Sequence, residues 1–209
     1  LIDAAVHQEQ VARLDVAVHD PALVHHRQDL GHPPPQRQHL ADRQRAAPEP
    51  RRELFRHMDA ANIDLKGFTE HFYKNLCTGK LAAVLDTLVY LRNETDVWLE
   101  ITTLLIPGEN DTPAEIEALC KWVLEHLGEE VPLHFTAFHP DWKMQDTPPT
   151  PPATLRMARR IGTELGLAHV YTGNIHDPAG QSTYCQKCGA RVVGRDGYQI
   201  TAWSLSAEG

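Results

Sequence analysis

The feature that most constrains the fold is a regular alternation, from about residue 49 onwards, of short apolar runs with helical segments. Four runs have the composition of β-strands, at residues 61–65, 97–106, 133–138 and 168–171. Between them apolar residues recur at helical spacing, as at Ile116, Leu119 and Val123. Strands that alternate with helices are typical of parallel sheets with right-handed crossovers. The units are too few for a closed eight-stranded barrel, so the pattern predicts an α/β fold built as a partial (β/α) barrel.

Local signals predict where the helices begin and end. Thr112, Pro113 and Glu115 have the order of an N-cap, an N1 proline and an N3 glutamate, which together indicate a capping box. Gly128 predicts the end of that helix. A further helix is expected after the prolines at 148–152. In the second strand we expect Trp98 and Ile101 to be packing residues.

The first part of the chain has a different composition. Residues 1–50 contain six His, six Gln and six Pro, but no aromatic residue, no Lys and no Cys. We expect residues 1–48 to be a disordered or non-native segment. A misassigned start of translation and a ligand-binding arm are the alternatives. The predicted organisation is this segment, a partial barrel at 49–174 and a small tail at 175–209.

Charge and cysteine content exclude several classes of protein. The net charge is −8 and the isoelectric point is about 5.9, which does not favour a broad nucleic-acid-binding face. The sequence has no run of 18 apolar residues, so we expect no membrane span. Four cysteines in 209 residues do not form a disulfide framework, and we therefore expect a cytoplasmic protein. Unpaired strand edges of a partial barrel would favour self-association.

Polar residues at the predicted strand ends are the candidates for a binding site. In parallel α/β folds the chemistry lies at the carboxyl ends of the strands. Asp64 and Lys66 are two residues apart, so on a strand they share one face and could hold a zwitterion; a satisfied internal ion pair is the alternative. Ile106 precedes the Pro107–Gly108 turn that ends the second strand, and His139 follows the third.

The tail contains two cysteines in a CxxC arrangement. Cys185 and Cys188 are followed by Gly189, and two thiolates on one tight turn can bind the same metal ion. A structural zinc ion needs four ligands, which Cys77, Cys120, His169 or His176 could complete only through the fold. The prediction is a zinc site at Cys185 and Cys188, with a redox dithiol or a plain reduced pair as the alternative. Residues 191–200 predict a hairpin that turns at Asp196–Gly197.

Several motifs in one order carry a resemblance to a known family. These are ANIDLKGF, ETDVWLEITTLLIPGENDTPAEI, LHFTAFHPDWKM and VYTGNIHDPAGQSTYCQKCGA. Over residues 48–202 the sequence resembles the C-terminal part of a radical S-adenosylmethionine enzyme, and in particular the AmmeMemoRadiSam-system radical SAM enzymes, which are relatives of the pyruvate formate-lyase activating enzymes. The resemblance implies the C-terminal half of a radical SAM barrel.

The resemblance also implies cofactors and roles for the strand-end residues. Asp64 and Lys66 would contact the methionyl part of S-adenosylmethionine, His139 its adenosyl or ribose side, and the segment with Ile106 would line the pocket. A [4Fe–4S] cluster would cleave the sulfonium reductively to a 5′-deoxyadenosyl radical, which takes a hydrogen atom from a substrate, for which a protein is a candidate. The cofactor carries that chemistry and the protein orients it.

The sequence departs from the family at the cluster-binding motif. The family binds its [4Fe–4S] cluster with three cysteines in CxxxCxxC, and this motif is absent from the 209 residues. We therefore expect the cluster-binding half to lie upstream or to have been lost, and the chain to be inactive alone. The alternative function is a non-catalytic remnant that acts as a metal-binding or partner-binding module.

Overall fold

The computed structural model describes residues 49–205. The expectations for residues 1–48 lie outside the described residues. The elements in chain order are α1 (Glu49–Phe55), β1 (Ala60–Asp64), α2 (Glu70–Asn75), α3 (Leu81–Glu94), β2 (Trp98–Leu105), α4 (Pro113–Leu127), β3 (Leu133–Ala137), α5 (Pro152–Glu164), β4 (Val170–Gly173), α6 (Pro178–Gln181), β5 (Thr183–Tyr184), β6 (Arg191–Asp196) and β7 (Gln199–Trp203).

The main sheet is parallel and its strands follow one another in the order β1-β2-β3-β4. Each strand is therefore added beside the preceding one, in the same direction across the sheet. When all the crossovers are right-handed, this order places the connecting helices on one face of the sheet. This arrangement is an open segment of a (β/α) barrel. The predicted α/β class is confirmed.

The core lies between the sheet and its helices. Every second strand residue is buried, as in β2, where Leu99, Ile101, Thr103 and Leu105 point to the core. Ile101 is a packing residue, as expected. The expectation for Trp98 is wrong: it is 38% exposed because it lies on the opposite face of β2, where its indole N–H donates to Glu100.

The N-terminus of α4 has one of the two hydrogen bonds of a capping box. Thr112 Oγ1 accepts the N–H of Glu115, as predicted. The Glu115 carboxylate accepts the N–H of Phe68, 2.7 Å away in the loop after β1, so the second half of the expected capping box is replaced by a tertiary contact. That contact fixes the loop that follows the end of β1. Gly128, with φ of 94°, follows the end of the helix as expected.

A second, antiparallel sheet of order β5-β6-β7 follows the main sheet. Cys185 and Cys188 lie in the connection between β5 and β6. Asp196 pairs with Gln199, so the hairpin turn is Gly197–Tyr198, one residue later than predicted. None of the described helices is long and apolar enough to cross a membrane.

Candidate functional site at the carboxyl ends of the strands

Asp64 and Lys66 form an ion pair where β1 ends. Lys66 Nζ lies 2.8 Å from Asp64 Oδ2, so the two charges share one side of the strand. Their side chains are 36% and 34% exposed, respectively. The arrangement is the satisfied ion pair considered above, and both charges remain accessible to a ligand.

Asn110 connects the ends of β1 and β2. The residue is 2% exposed; Nδ2 donates to the carbonyls of Lys66 at 2.6 Å and Leu104 at 2.9 Å. Its Oδ1 accepts the N–H of Ile106 at 2.7 Å. Both polar atoms of the side-chain amide therefore form hydrogen bonds to the backbone at the candidate site. Sequence reasoning did not single out this residue: an Asn after Pro-Gly signals a local turn, but not a contact with Lys66, which is distant in the chain.

Tyr73 holds the Lys66 main chain from the other side. Its phenolic oxygen accepts the Lys66 N–H at 3.0 Å, and burial raises the pKa of Tyr73 to about 12. The Lys66 main chain is therefore fixed at both its N–H and its carbonyl, while its ammonium group stays at the surface.

Ile106 and His139 follow the next two strands. Ile106 is 7% exposed and packs in the core, so at this edge it contributes a fixed backbone. His139 is exposed, and its imidazole makes no hydrogen bond or ion pair within residues 49–205. Phe138 before it is anchored through its N–H and carbonyl to Thr150. Parallel strands lie about 4.8 Å apart, so the strand before His139 is about 10 Å from β1, at the same edge.

A polar row crosses the sheet below this edge. Asp64, Thr102, His134 and Tyr171 are successive Cα partners in β1, β2, β3 and β4. Paired residues of adjacent strands point to the same side, so the row lies on the face opposite the helices. Sequence reasoning missed it, although polar residues at every second position were the signal.

Glu100 and His134 form a second charged contact on this face, beside the Asp64–Lys66 pair. His134 Nε2 lies 2.9 Å from Glu100 Oε2, and the imidazole stacks on Tyr171 with ring centroids 5.1 Å apart. Burial alone would raise the pKa of Glu100. The hydrogen bonds from His134 and Trp98 and the charges of His134 and Arg195 outweigh burial and lower the pKa.

The cysteines do not assemble a cluster site. Cys77 is half-buried near Asp64 and Lys66, and burial raises its pKa. Cys120 is buried in the core, where burial raises the pKa of its thiol to about 12. No group of three or more His, Cys, Asp or Glu side chains within residues 49–205 could hold a metal ion.

Cys185 and Cys188 share one turn, as predicted, but the four candidates for completing a zinc site do not join them. Cys120 lies in the core, and His176 pairs with Asp196 at 3.0 Å. The zinc prediction therefore gains no support from the described residues of a single chain.

The chain is similar in sequence to a curated protein and in fold to a solved domain. No protein-family model matches the chain. The uncharacterized protein MJ0808 of Methanocaldococcus jannaschii is 44% identical over 151 residues, which cover 72% of this chain and 45% of that protein. The chain thus spans less than half the length of this relative. A domain of a pyruvate-formate lyase-activating enzyme from Bacteroides vulgatus has a similar fold, with a TM-score of 0.53 and 19% identity over 62% of this chain and 76% of that chain.

Proposed function

We propose that this chain is the C-terminal part of a radical S-adenosylmethionine enzyme related to the AmmeMemoRadiSam-system and activating enzymes. The observation that carries the proposal is the partly exposed Asp64–Lys66 pair at the edge of a sequentially ordered parallel sheet. A fold shared with a domain of a pyruvate-formate lyase-activating enzyme supports it. In this proposal the activity and the binding of the substrate, for which another protein is a candidate, belong to the longer protein.

The strand-end residues fit the amino-acid end of S-adenosylmethionine. The ligand's ammonium group would bind the Asp64 carboxylate and its carboxylate would bind Lys66, so that one internal ion pair becomes two charge-assisted contacts. Asn110 and Tyr73 keep the backbone of Lys66 fixed. His139 would contact the adenosyl or ribose side, and its unpaired imidazole is available for that role. The segment with Ile106 would line the pocket between the two ends of the ligand.

The residues present do not fit the [4Fe–4S] cluster. The CxxxCxxC motif is absent from the sequence, and no described group of three side chains replaces it. The cluster supplies the electron that cleaves the sulfonium, so this chain would bind and orient S-adenosylmethionine without cleaving it. The four free cysteines are consistent with the reducing cytoplasm that we propose as its location.

The second candidate is a non-catalytic remnant that binds a metal ion or a partner. Two observations favour it, the missing cluster ligands and the paired thiols of Cys185 and Cys188. Such a remnant would have no need to bind S-adenosylmethionine, and this difference separates the two candidates.

Equilibrium dialysis of the purified chain with labelled S-adenosylmethionine tests the proposal. Hydrogen bonds to charged groups contribute about 1.5–3 kcal/mol, so Lys66→Met should weaken binding about tenfold or more. Lys121→Met is the matched control, because Lys121 lies on the exposed side of α4 beside Glu117. Absence of binding by the wild-type chain, or equal loss in both variants, would reject the proposal.

A further inference from the structure

We propose that Cys185 and Cys188 are one half of a four-thiolate Zn²⁺ site, which the same two cysteines of a second copy of this chain complete. The proposal does not depend on the proposed function. It concerns the small sheet, which the binding of S-adenosylmethionine does not use.

Two main-chain hydrogen bonds and a glycine define the turn that carries the two thiols. Cys185 N–H donates to Ala190 O and Gly189 N–H donates to Cys185 O, both at 2.8 Å. Gly189 has φ of 71°, which a side chain would disfavour. These main-chain contacts hold both thiols on one tight turn, from which two thiolates can bind the same metal ion.

The position of the turn favours a metal over dithiol chemistry. Reactive CxxC dithiols commonly lie at a helix N-terminus, where the helix dipole activates one thiol. This CxxC connects the antiparallel strands β5 and β6. Thiolate ligands select zinc and similar soft ions, with a zinc–sulfur distance of about 2.3 Å.

The number of ligands requires a further donor from outside the described chain. Structural zinc sites have four protein ligands, and residues 49–205 provide no third one beside Cys185 and Cys188. Cys120 is buried in the core and Cys77 lies near Asp64 and Lys66, at the main sheet. Residues 1–48 contain no cysteine. A second copy supplies the two missing thiolates.

The same small sheet exposes apolar side chains that a second copy would cover. Strand β7 has β6 on one side and is an edge of the sheet as described. Tyr198 is fully exposed, and Ile200 and Trp203 are more than half exposed. Trp203 pairs with Val193 at the end of the sheet where β6 leaves the cysteine turn. Exposed apolar groups on an edge strand are typical of an interaction surface.

Zinc content and molar mass, measured together on the reduced full chain, test the proposal. We expect half a zinc ion per chain and a mass of about twice 23.5 kDa by light scattering, reversed to a monomer by a chelator. Cobalt substituted for zinc should give the charge-transfer absorption of four thiolates. Cys185→Ser with Cys188→Ser should abolish both metal binding and dimerisation, whereas Cys77→Ser, the matched control, should retain both.

Three results would overturn the proposal. These are one zinc ion per monomer, no zinc in the reduced wild-type chain, and a metal-free double variant that dimerises as strongly as wild type. The first would assign the remaining ligands to other residues of the same chain, such as the histidines of residues 1–48. Circular dichroism of the double variant separates a lost site from a lost fold.

Discussion

At the scale of single residues, the geometry of the candidate site is set by side chains that form hydrogen bonds to the backbone. These are different from the side chains that would contact a ligand. Asn110 donates to two main-chain carbonyls and accepts one main-chain N–H at the ends of β1 and β2. Unpaired buried polar groups each cost about 1–3 kcal/mol, so the position tolerates few other residues.

Asn110→Ala should therefore lower the free energy of unfolding by about 3 kcal/mol, measured by urea denaturation. Asn93→Ala, on the exposed side of α3, is the control and should change it by less than about 0.5 kcal/mol. If the two variants were equally stable, Asn110 would not have the linking role assigned to it.

The Glu100–His134 pair predicts a dependence of stability on pH. The pKa of Glu100 is lowered in the folded chain, so the unfolded chain binds the proton more readily. The pair's contribution is therefore complete above the ordinary pKa of 4.5 and is lost as the pH falls through the lower folded value.

Below pH 4.5, the free energy of unfolding of Glu100→Gln should decrease less steeply with falling pH than that of the wild-type chain. Urea denaturation at several pH values measures both slopes. Glu117→Gln, on the exposed side of α4 beside Lys121, serves as the comparison and should keep the wild-type slope. An unchanged slope in Glu100→Gln would mean that His134 does not stabilise the ionised carboxylate.

At the scale of elements, periodicity predicted the long helices and the positions of the four main-sheet strands, because burial on one face repeats in the sequence. The short helices α1, α2 and α6 were missed, since seven, six and four residues leave no visible period. The polar row was missed for another reason. The candidate site residues were taken from the ends of the strands, whereas His134 and other polar residues of the row lie within them. Trp98 shows that an apolar residue type does not reveal which face of a strand it occupies.

Thr112→Ala should destabilise the chain by about 1 kcal/mol, because it removes the acceptor for the Glu115 N–H at the start of α4. Thr163→Ala, at an exposed position inside α5, should be neutral or slightly stabilising, since alanine favours helix interiors. Thermal unfolding measures both, and a larger loss in Thr163→Ala would contradict the assignment of the cap.

At the scale of the whole molecule, the structure describes four parallel strands of a barrel and a small sheet with paired thiols. The strand-end residues Asp64, Lys66, Ile106 and His139 could be chosen from sequence because parallel strands bring their carboxyl ends to one edge. Their anchoring by Asn110, Tyr73 and Thr150 could not, because those contacts join residues distant in the chain.

Reconstitution with iron and sulfide should leave the purified chain without the absorption of a [4Fe–4S] cluster. The reason is that three converging thiolates are absent from residues 49–205 and CxxxCxxC is absent from the sequence. Iron content and electron paramagnetic resonance after reduction measure the outcome. An intact cluster in this sample would show that the chain has ligands that this account does not recognise.

The most direct test of the central claim compares two ligands that differ at the amino-acid end. S-adenosylmethionine carries the ammonium and carboxylate groups proposed to bind Asp64 and Lys66, whereas 5′-methylthioadenosine lacks them. Calorimetric titration of the wild-type chain should give at least about tenfold tighter binding of S-adenosylmethionine, and Asp64→Asn with Lys66→Met should abolish that preference. Equal affinity of the wild-type chain for both ligands would contradict the account.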